Sequence, residues 1–262
     1  MSLADSDRMS PVLRISVAVI LVALVANVAL GECESPTFRW APVYETGSEG
    51  AQAFAFANAN GDGLPDVVVG HAPLNNGVGA VALLTGTGAG GFRLEDSVET
   101  GAIRSIDVAD FDGDGDDDVV AAGTTEIITL RNDRLRLTIS NRFNGGSGPV
   151  AAGDFDGDGR ADFLAAAGSP ALSLFRGLGD GRFVESNWRG PDVEGDLAAA
   201  DFDRDGRTDV AVASGSKSIN VLFGDRDGAF ATSVHHEFAY QPLTIHVTDL
   251  DGDGRTDLVE LV

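Results

Sequence analysis

Lysine is almost absent from this chain. Lys217 is the single lysine among 262 residues, and 18 basic residues stand against 41 acidic ones, for a net charge of −23. So negative a surface repels phosphate backbones and anionic membranes and draws cations, which argues against nucleic acid as a partner. Cysteine is as scarce: Cys33 stands alone, so no internal disulfide can form. Tryptophan and tyrosine number two each. A lectin with one sugar site per repeat would need an aromatic in every repeat, and this supply is too small. The four histidines, His71, His235, His236 and His246, lack the converging partners of a transition-metal site. There is no G-x-S-x-G elbow, no P-loop and no G-x-G-x-x-G opening a helix. No catalytic residue is therefore assigned.

What is present begins with an N-terminal apolar run. Arg8 and Arg14 precede "ISVAVILVALVANVALG", residues 15–31, and Ala29 and Gly31 are small residues before a plausible cut at Glu32. Residues 1–31 read as an export signal and 32–262 as the mature domain, secreted, periplasmic or on the cell surface. The run is short against the roughly 20 residues of a membrane span; an uncleaved anchor helix is the alternative. Glu32 sits where a lipid-attachment motif at Cys33 needs a small residue. An exported chain without disulfides needs another source of rigidity.

That source lies in a repeat. The pattern D-x-D-x-D-G-x-x-D occurs as "NANGDGLPD" from Asn58, "DFDGDGDDD" from Asp110, "DFDGDGRAD" from Asp154, "DFDRDGRTD" from Asp201 and "DLDGDGRTD" from Asp249. The starts are 44 to 52 residues apart, the size of one four-stranded propeller blade. Before each motif runs a stretch of small or alternating residues, such as "AFAFAN" or "LAAAD", suited to a crowded innermost strand. After each comes an apolar run such as "DVVVG" or "DVAVASG", then a third such as "LSLFRG". Glycine-rich turns such as "GLGDGRF" lead to a fourth. No helical apolar period persists in the mature chain, so the fold is expected to be all-β: a propeller of four complete repeats and a partial fifth. "TFRWAPVYET", residues 37–46, reads as an orphan outer strand that could close against the last blade. Otherwise the ring is open, or the chain is a fragment of a larger one.

The aspartate spacing matches calcium, a hard cation that takes six to eight oxygens. Loop positions 1, 3, 5 and 9 supply side chains and position 7 a backbone carbonyl. The five expected sets are Asn58, Asn60, Asp62, Leu64 and Asp66; Asp110, Asp112, Asp114, Asp116 and Asp118; Asp154, Asp156, Asp158, Arg160 and Asp162; Asp201, Asp203, Asp205, Arg207 and Asp209; and Asp249, Asp251, Asp253, Arg255 and Asp257. Up to five calcium ions are expected, the first site the weakest because asparagines replace two of its carboxylates. Position 6 is always glycine: Gly63, Gly115, Gly159, Gly206 and Gly254. Position 2 is mostly apolar (Phe111, Phe155, Phe202, Leu250) and is expected to pack between blades. An EF-hand would need Glu at position 12, which here is Val69, Ala121, Ala165, Val212 and Glu260. Solvated acidic turns are the bland alternative. Five copies with positions 5, 6 and 9 intact weigh against it.

The motif, its place between strands, the trailing "GDGRF" turn and the "GHAP" at residues 70–73 resemble the FG-GAP/VCBS repeats of integrin α-subunits and many secreted bacterial proteins. The resemblance covers residues 38–262 and implies a calcium-loaded β-propeller, with ions between the first and second strands of each blade. Members of that family serve as adhesion modules, lectins and accessory domains of enzymes, so no single activity follows. The expected role is a secreted calcium-binding interaction module, with a carbohydrate-binding propeller or a part of a polysaccharide-acting enzyme as alternatives. A protein or glycan partner is expected on the face opposite the motif loops, where Trp188, Arg189, His235, His236 and Tyr240 stand out as contact residues in loops.

Overall fold

A computed structural model describes Tyr44, Thr46 and residues 50–261, except 73–77, 89, 147, 167–170, 215–216, 229 and 240–243. The expectations for the export signal, Cys33, Tyr240 and most of residues 37–46 lie outside the described residues.

The described chain is all strand and turn. The first sheet comprises β1 (Ala51–Ala57), β2 (Asp66–His71), β3 (Gly79–Gly86) and β4 (Phe92–Thr100). The second has β5 (Ile103–Ala109), β6 (Asp118–Gly123), β7 (Glu126–Asn132) and β8 (Leu137–Asn144). The third has β9 (Val150–Gly153), β10 (Asp162–Ala165), β11 (Ala171–Gly177) and β12 (Phe183–Asp192). The fourth has β13 (Leu197–Ala200), β14 (Asp209–Ser214), β15 (Ser218–Phe223) and β16 (Thr232–Glu237). β17 (Thr244–Thr248) and β18 (Asp257–Leu261) form a two-stranded fifth. Each complete sheet is an antiparallel meander in chain order, which is the blade of a β-propeller. Four complete blades and a partial fifth are thus present, as the repeat predicts.

Burial explains the composition of the strands. The second strands are covered on both faces, so β2 and β6 are buried at every residue and read as unbroken apolar runs rather than alternating ones. The first strands lie side by side, β1 on β5, β5 on β9, β9 on β13 and β13 on β17, and the alanines of β9 and β13 allow that approach. Two carboxylates link these strands across blades. Asp107 Oδ2 accepts the Ala152 N–H at 2.8 Å, and Asp196 Oδ2 accepts the Ile245 N–H at 3.3 Å.

Apolar layers fill the spaces between blades. Val81 and Leu83 meet Ile128 and Leu130 between the first and second blades. Leu164, Leu172 and Leu174 meet Val210, Leu222 and Phe230 between the third and fourth. Between the second and third the layer is aromatic: Phe163 stacks on Phe175 at 4.5 Å, with Phe111, Phe143 and Phe183 edge-on around it. Position 2 of the motif behaves as expected for Phe111 and Phe155, which are buried. Leu250 departs from the expectation and is 73% exposed, because no sixth blade is present among the described residues to cover it. Tyr44 packs edge-on against Phe92 at 5.5 Å, on the face of the first blade that looks away from the second.

Two predictions follow from this packing. Phe163→Ala should cost about 3–5 kcal/mol in chemical denaturation, since it empties the centre of the aromatic layer. The second concerns Asp107. Burial pushes its carboxyl from 3.8 up to about 6, opposed by its hydrogen bonds from Ala152 and Val108 and aided by the charge of Asp117. The folded state therefore holds this proton more tightly than the unfolded chain, and the group's contribution to stability falls as pH rises from 3.8 to about 6. Thermal melts in chelator should show Asp107→Asn gaining on wild type between about pH 4.5 and about pH 7. A difference that does not change with pH would contradict this.

Candidate metal centre

Each motif loop joins the first strand of a blade to the second, and its ninth residue opens the second strand. That aspartate is buried in the four complete blades (Asp66, Asp118, Asp162, Asp209). Its Oδ2 accepts the N–H of loop position 2: Asp66 from Ala59 at 2.8 Å, Asp118 from Phe111 at 3.2 Å, Asp162 from Phe155 at 3.3 Å, Asp209 from Phe202 at 2.8 Å. Asp257 does the same with Leu250 at 2.9 Å. The Oδ1 accepts an N–H from the end of the third strand, from Gly86, Asn132, Gly177 and Gly224 in turn, each at 2.8 Å. One carboxylate thus joins the loop, the second strand and the third. The glycines are required by close approach. A Cβ on Gly86, Gly177 or Gly224 would lie 2.0–2.5 Å from the carbonyl oxygen of Pro65, Ala161 or Thr208.

The rest of each loop folds around its own carboxylates. Position 1 accepts backbone N–H groups from positions 4 and 6, as Asp154 does from Gly157 and Gly159, both at 2.8 Å. Asp110, Asp201 and Asp249 repeat the pattern. Position 6 needs a positive φ, between 75° and 94° in all five copies, which glycine adopts without strain. Position 4 needs one too, and Arg204 adopts it at φ 65° where the other loops have glycine.

In four loops the carboxylates of positions 1, 3 and 9 converge, offering oxygens that lie within 4.8 Å of one another. The sets are Asp110, Asp112 and Asp118; Asp154, Asp156 and Asp162; Asp201, Asp203 and Asp209; Asp249, Asp251 and Asp257. Asn58 and Asn60 keep the first loop from forming such a set. Burial and the neighbouring carboxylates push Asp118 and Asp162 up to about 7, and raise Asp112, Asp156 and Asp209. Crowded carboxylates that resist ionising are what a bound cation relieves. The donors are hard oxygens throughout, with no imidazole or thiolate, which fits calcium rather than zinc.

The position 5 carboxylates Asp114, Asp158, Asp205 and Asp253 stand outside these sets. They accept the N–H of position 7 at 2.8–3.0 Å. Position 7 does more than present a backbone: the side chains of Arg160, Arg207 and Arg255 fold back to pair with Asp158, Asp205 and Asp253. The varying residues at this position gave no hint of that pairing, although an arginine two residues after an aspartate is the signal to look for.

Neighbouring loops are stitched along one rim. The Asp117 N–H donates to the Asn58 carbonyl at 3.2 Å and the Thr208 N–H to the Asp154 carbonyl at 2.9 Å, the same two loop positions in each case. Arg204 Nη2 donates to the Gly254 carbonyl at 2.8 Å.

The expected contact residues are placed differently from the expectation. Trp188 and Arg189 lie within β12, which runs on to Asp192 through register shifts against β11. Trp188 is half-buried, folded over Gly190 and 4.8 Å from the Phe230 ring, so it belongs to the layer between blades. His235 and His236 lie on β16, not in a loop, and His235 Nδ1 is 2.8 Å from Asn220 Oδ1. His71 is buried on β2.

Antiparallel four-stranded blades, each carrying an acidic loop between its first two strands, define a repeat-built β-propeller. The chain belongs to the FG-GAP-like repeat family, whose model matches residues 58–121, 154–212 and 201–260, more than half of its length. Among solved structures it is similar to BBS1N, determined in complex with ARL6DN and soaked with lead, at 14% identity over 76% of this chain and 60% of that one, TM-score 0.51. It is also similar to an Agrocybe aegerita lectin that recognises non-reducing terminal N-acetylglucosamine, at 17% identity over 81% of this chain and 75% of that one, TM-score 0.45. No protein with a curated description matches the chain in sequence.

The hydrogen bonding separates positions 9 and 5 by experiment. Asp162→Ala should cost about 2–4 kcal/mol even in chelator, because it strands two buried N–H groups. Asp158→Ala, measured by the same urea titration, should cost less than about 1 kcal/mol under those conditions. Equal costs would show that position 9 acts only through a metal.

Proposed function

We propose that this chain is an exported, calcium-stabilised β-propeller that serves as a binding module rather than an enzyme. The observation that carries this is the recurrence of one convergent three-carboxylate set at one register in four successive blades. Positions 1, 3, 5 and 9 would supply carboxylates in the second to fifth loops, and position 7 its carbonyl. The first loop, with Asn58, Asn60, Asp62, the Leu64 carbonyl and Asp66, would bind more weakly. Calcium supplies positive charge here. It would offset the burial and the repulsion that drive Asp118 and Asp162 upward, and tie the end of one strand to the start of the next. The first loop is bonded to the second along the rim, the third to the fourth and the fourth to the fifth, so an ion in one of these loops would also steady its bonded neighbour. The apolar run after Arg8 and Arg14 supports export, to a compartment where calcium is plentiful.

The partner would be a protein or a glycan, bound on the face opposite the calcium rim, where the turns between second and third strands lie. Trp188 no longer supports sugar stacking, because its ring is packed against Phe230.

The test is a pair of thermal melts. Sites of this extracellular kind bind at about 0.1–1 mM, so about 5 mM calcium should raise the melting temperature by about 10 °C or more over excess EDTA. Identical melts in the two conditions would sink the calcium reading.

A further inference from the structure

In each complete blade the residue whose N–H bonds the buried position 9 aspartate closes the third strand (Gly86, Asn132, Gly177) or directly follows it (Gly224). The residue just before it is free to vary. It is Thr85, Arg131, Arg176 and Phe223 from first blade to fourth. In the second and third blades this side chain reaches another expected ligand of the same loop, position 3. Arg131 Nε is 4.0 Å from Asp112 Oδ2, and Arg176 Nε is 3.6 Å from Asp156 Oδ2. In the fourth blade, Phe223 and Asp203 line one apolar cleft and bring no positive charge to each other. In the first blade, where position 3 is the neutral Asn60, Thr85 turns to Glu95 at 2.6 Å instead.

Arg176 is the more firmly held of the two arginines. Its Nη2 donates to the Asp227 carbonyl, its guanidinium lies against Gly228, and its buried Nε makes no hydrogen bond. Asp156, which it faces, is 7% exposed. Arg131 is half-exposed and shared with Asp133 at 3.8 Å. A guanidinium keeps its charge at every accessible pH. Beside a carboxylate as buried as Asp156, the charge of Arg176 is screened by salt less than between two exposed groups. It takes up part of the position 3 carboxylate's charge and repels a dication that approaches the same oxygens.

We propose that this third-strand position sets the cation affinity of each loop, arginine lowering it and phenylalanine leaving it high. The proposal rests on the calcium reading above. Of the third and fourth loops, which both carry an arginine at position 7, the fourth then fills first as calcium rises. Arg131 and Arg176 act as positioning residues on the ligand carboxylates; they are not ligands themselves.

The test exchanges the two residues. The isotope-labelled full chain is titrated with calcium as wild type, Arg176→Phe, Phe223→Arg and Arg176→Lys. The amide signals of Gly159 and Gly206, each at position 6 of its own loop, report the third and fourth sites separately. Arg176→Phe should move the Gly159 midpoint to about tenfold lower calcium and leave Gly206 in place. Phe223→Arg should raise the Gly206 midpoint by a similar factor, and Arg176→Lys should keep Gly159 near wild type. Midpoints unmoved in both exchanges, with both signals still responding to calcium, would overturn the proposal and spare the calcium reading. If Arg176→Phe fails to fold, Phe223→Arg decides alone. If neither glycine of the wild type responds to calcium, the calcium reading fails and takes the proposal with it.

Discussion

The position 9 carboxylate accepts one N–H from its own loop and one from the end of the third strand, and it does so while buried. Much of the blade's local chemistry follows from that pair of bonds. The loop must close over seven residues to bring position 2 back to position 9, which forces the positive φ at positions 4 and 6. The third strand must end close against position 8, which leaves room only for glycine in three blades. Asn132 takes that place in the second blade and turns the departure to use, donating its side-chain N–H to the Ala59 and Asp117 carbonyls and so joining two blades.

Burying that carboxylate beside others carries an electrostatic cost, and the blades meet it differently. The first replaces two charges by amides, and Asn60 donates its side-chain N–H to Asp62. The second and third bring an arginine from the third strand to position 3. The third, fourth and fifth fold an arginine at position 7 back onto position 5. With 18 basic residues against 41 acidic ones, arginine cannot neutralise every set, and the convergent oxygens of positions 1, 3 and 9 keep a net negative charge. That residue of uncompensated charge is the physical argument for a cation, and it is strongest in the loops that arginine reaches least.

The sequence made the repeat, the four-stranded blade and the loop placement legible, because one register repeats and each position in it obeys a local geometric rule. Gly159 needs its φ and Asp162 its two donors whatever the rest of the chain does. What escaped was set by distant partners. Arg176 follows Asp156 by some twenty residues and meets it only once β11 pairs with β10. Trp188 sits in a stretch rich in polar residues and glycine that reads as a loop, yet register shifts let β12 run through it and press the indole onto Phe230. Leu250 obeys the motif but has no neighbouring blade among the described residues to cover it.

The arrangement divides labour between the ends of each blade. At the motif end, every loop is bonded to itself, to its strands and in several cases to the next loop, so its residues are committed to holding shape. At the other end, the turns between second and third strands differ from blade to blade in sequence and length. Residues Thr124 and Thr125 make a bare two-residue connection between β6 and β7, whereas seven residues separate β2 from β3. Repeated chemistry marks what every blade must do to fold, and unrepeated chemistry marks where one blade can differ without cost to its neighbours. On the proposed reading, a partner that recognises this protein and not another built on the same repeat would read that variable end. The fixed end then supplies the rigidity that makes such reading specific, because loops mounted on immobile strands lose little freedom on binding.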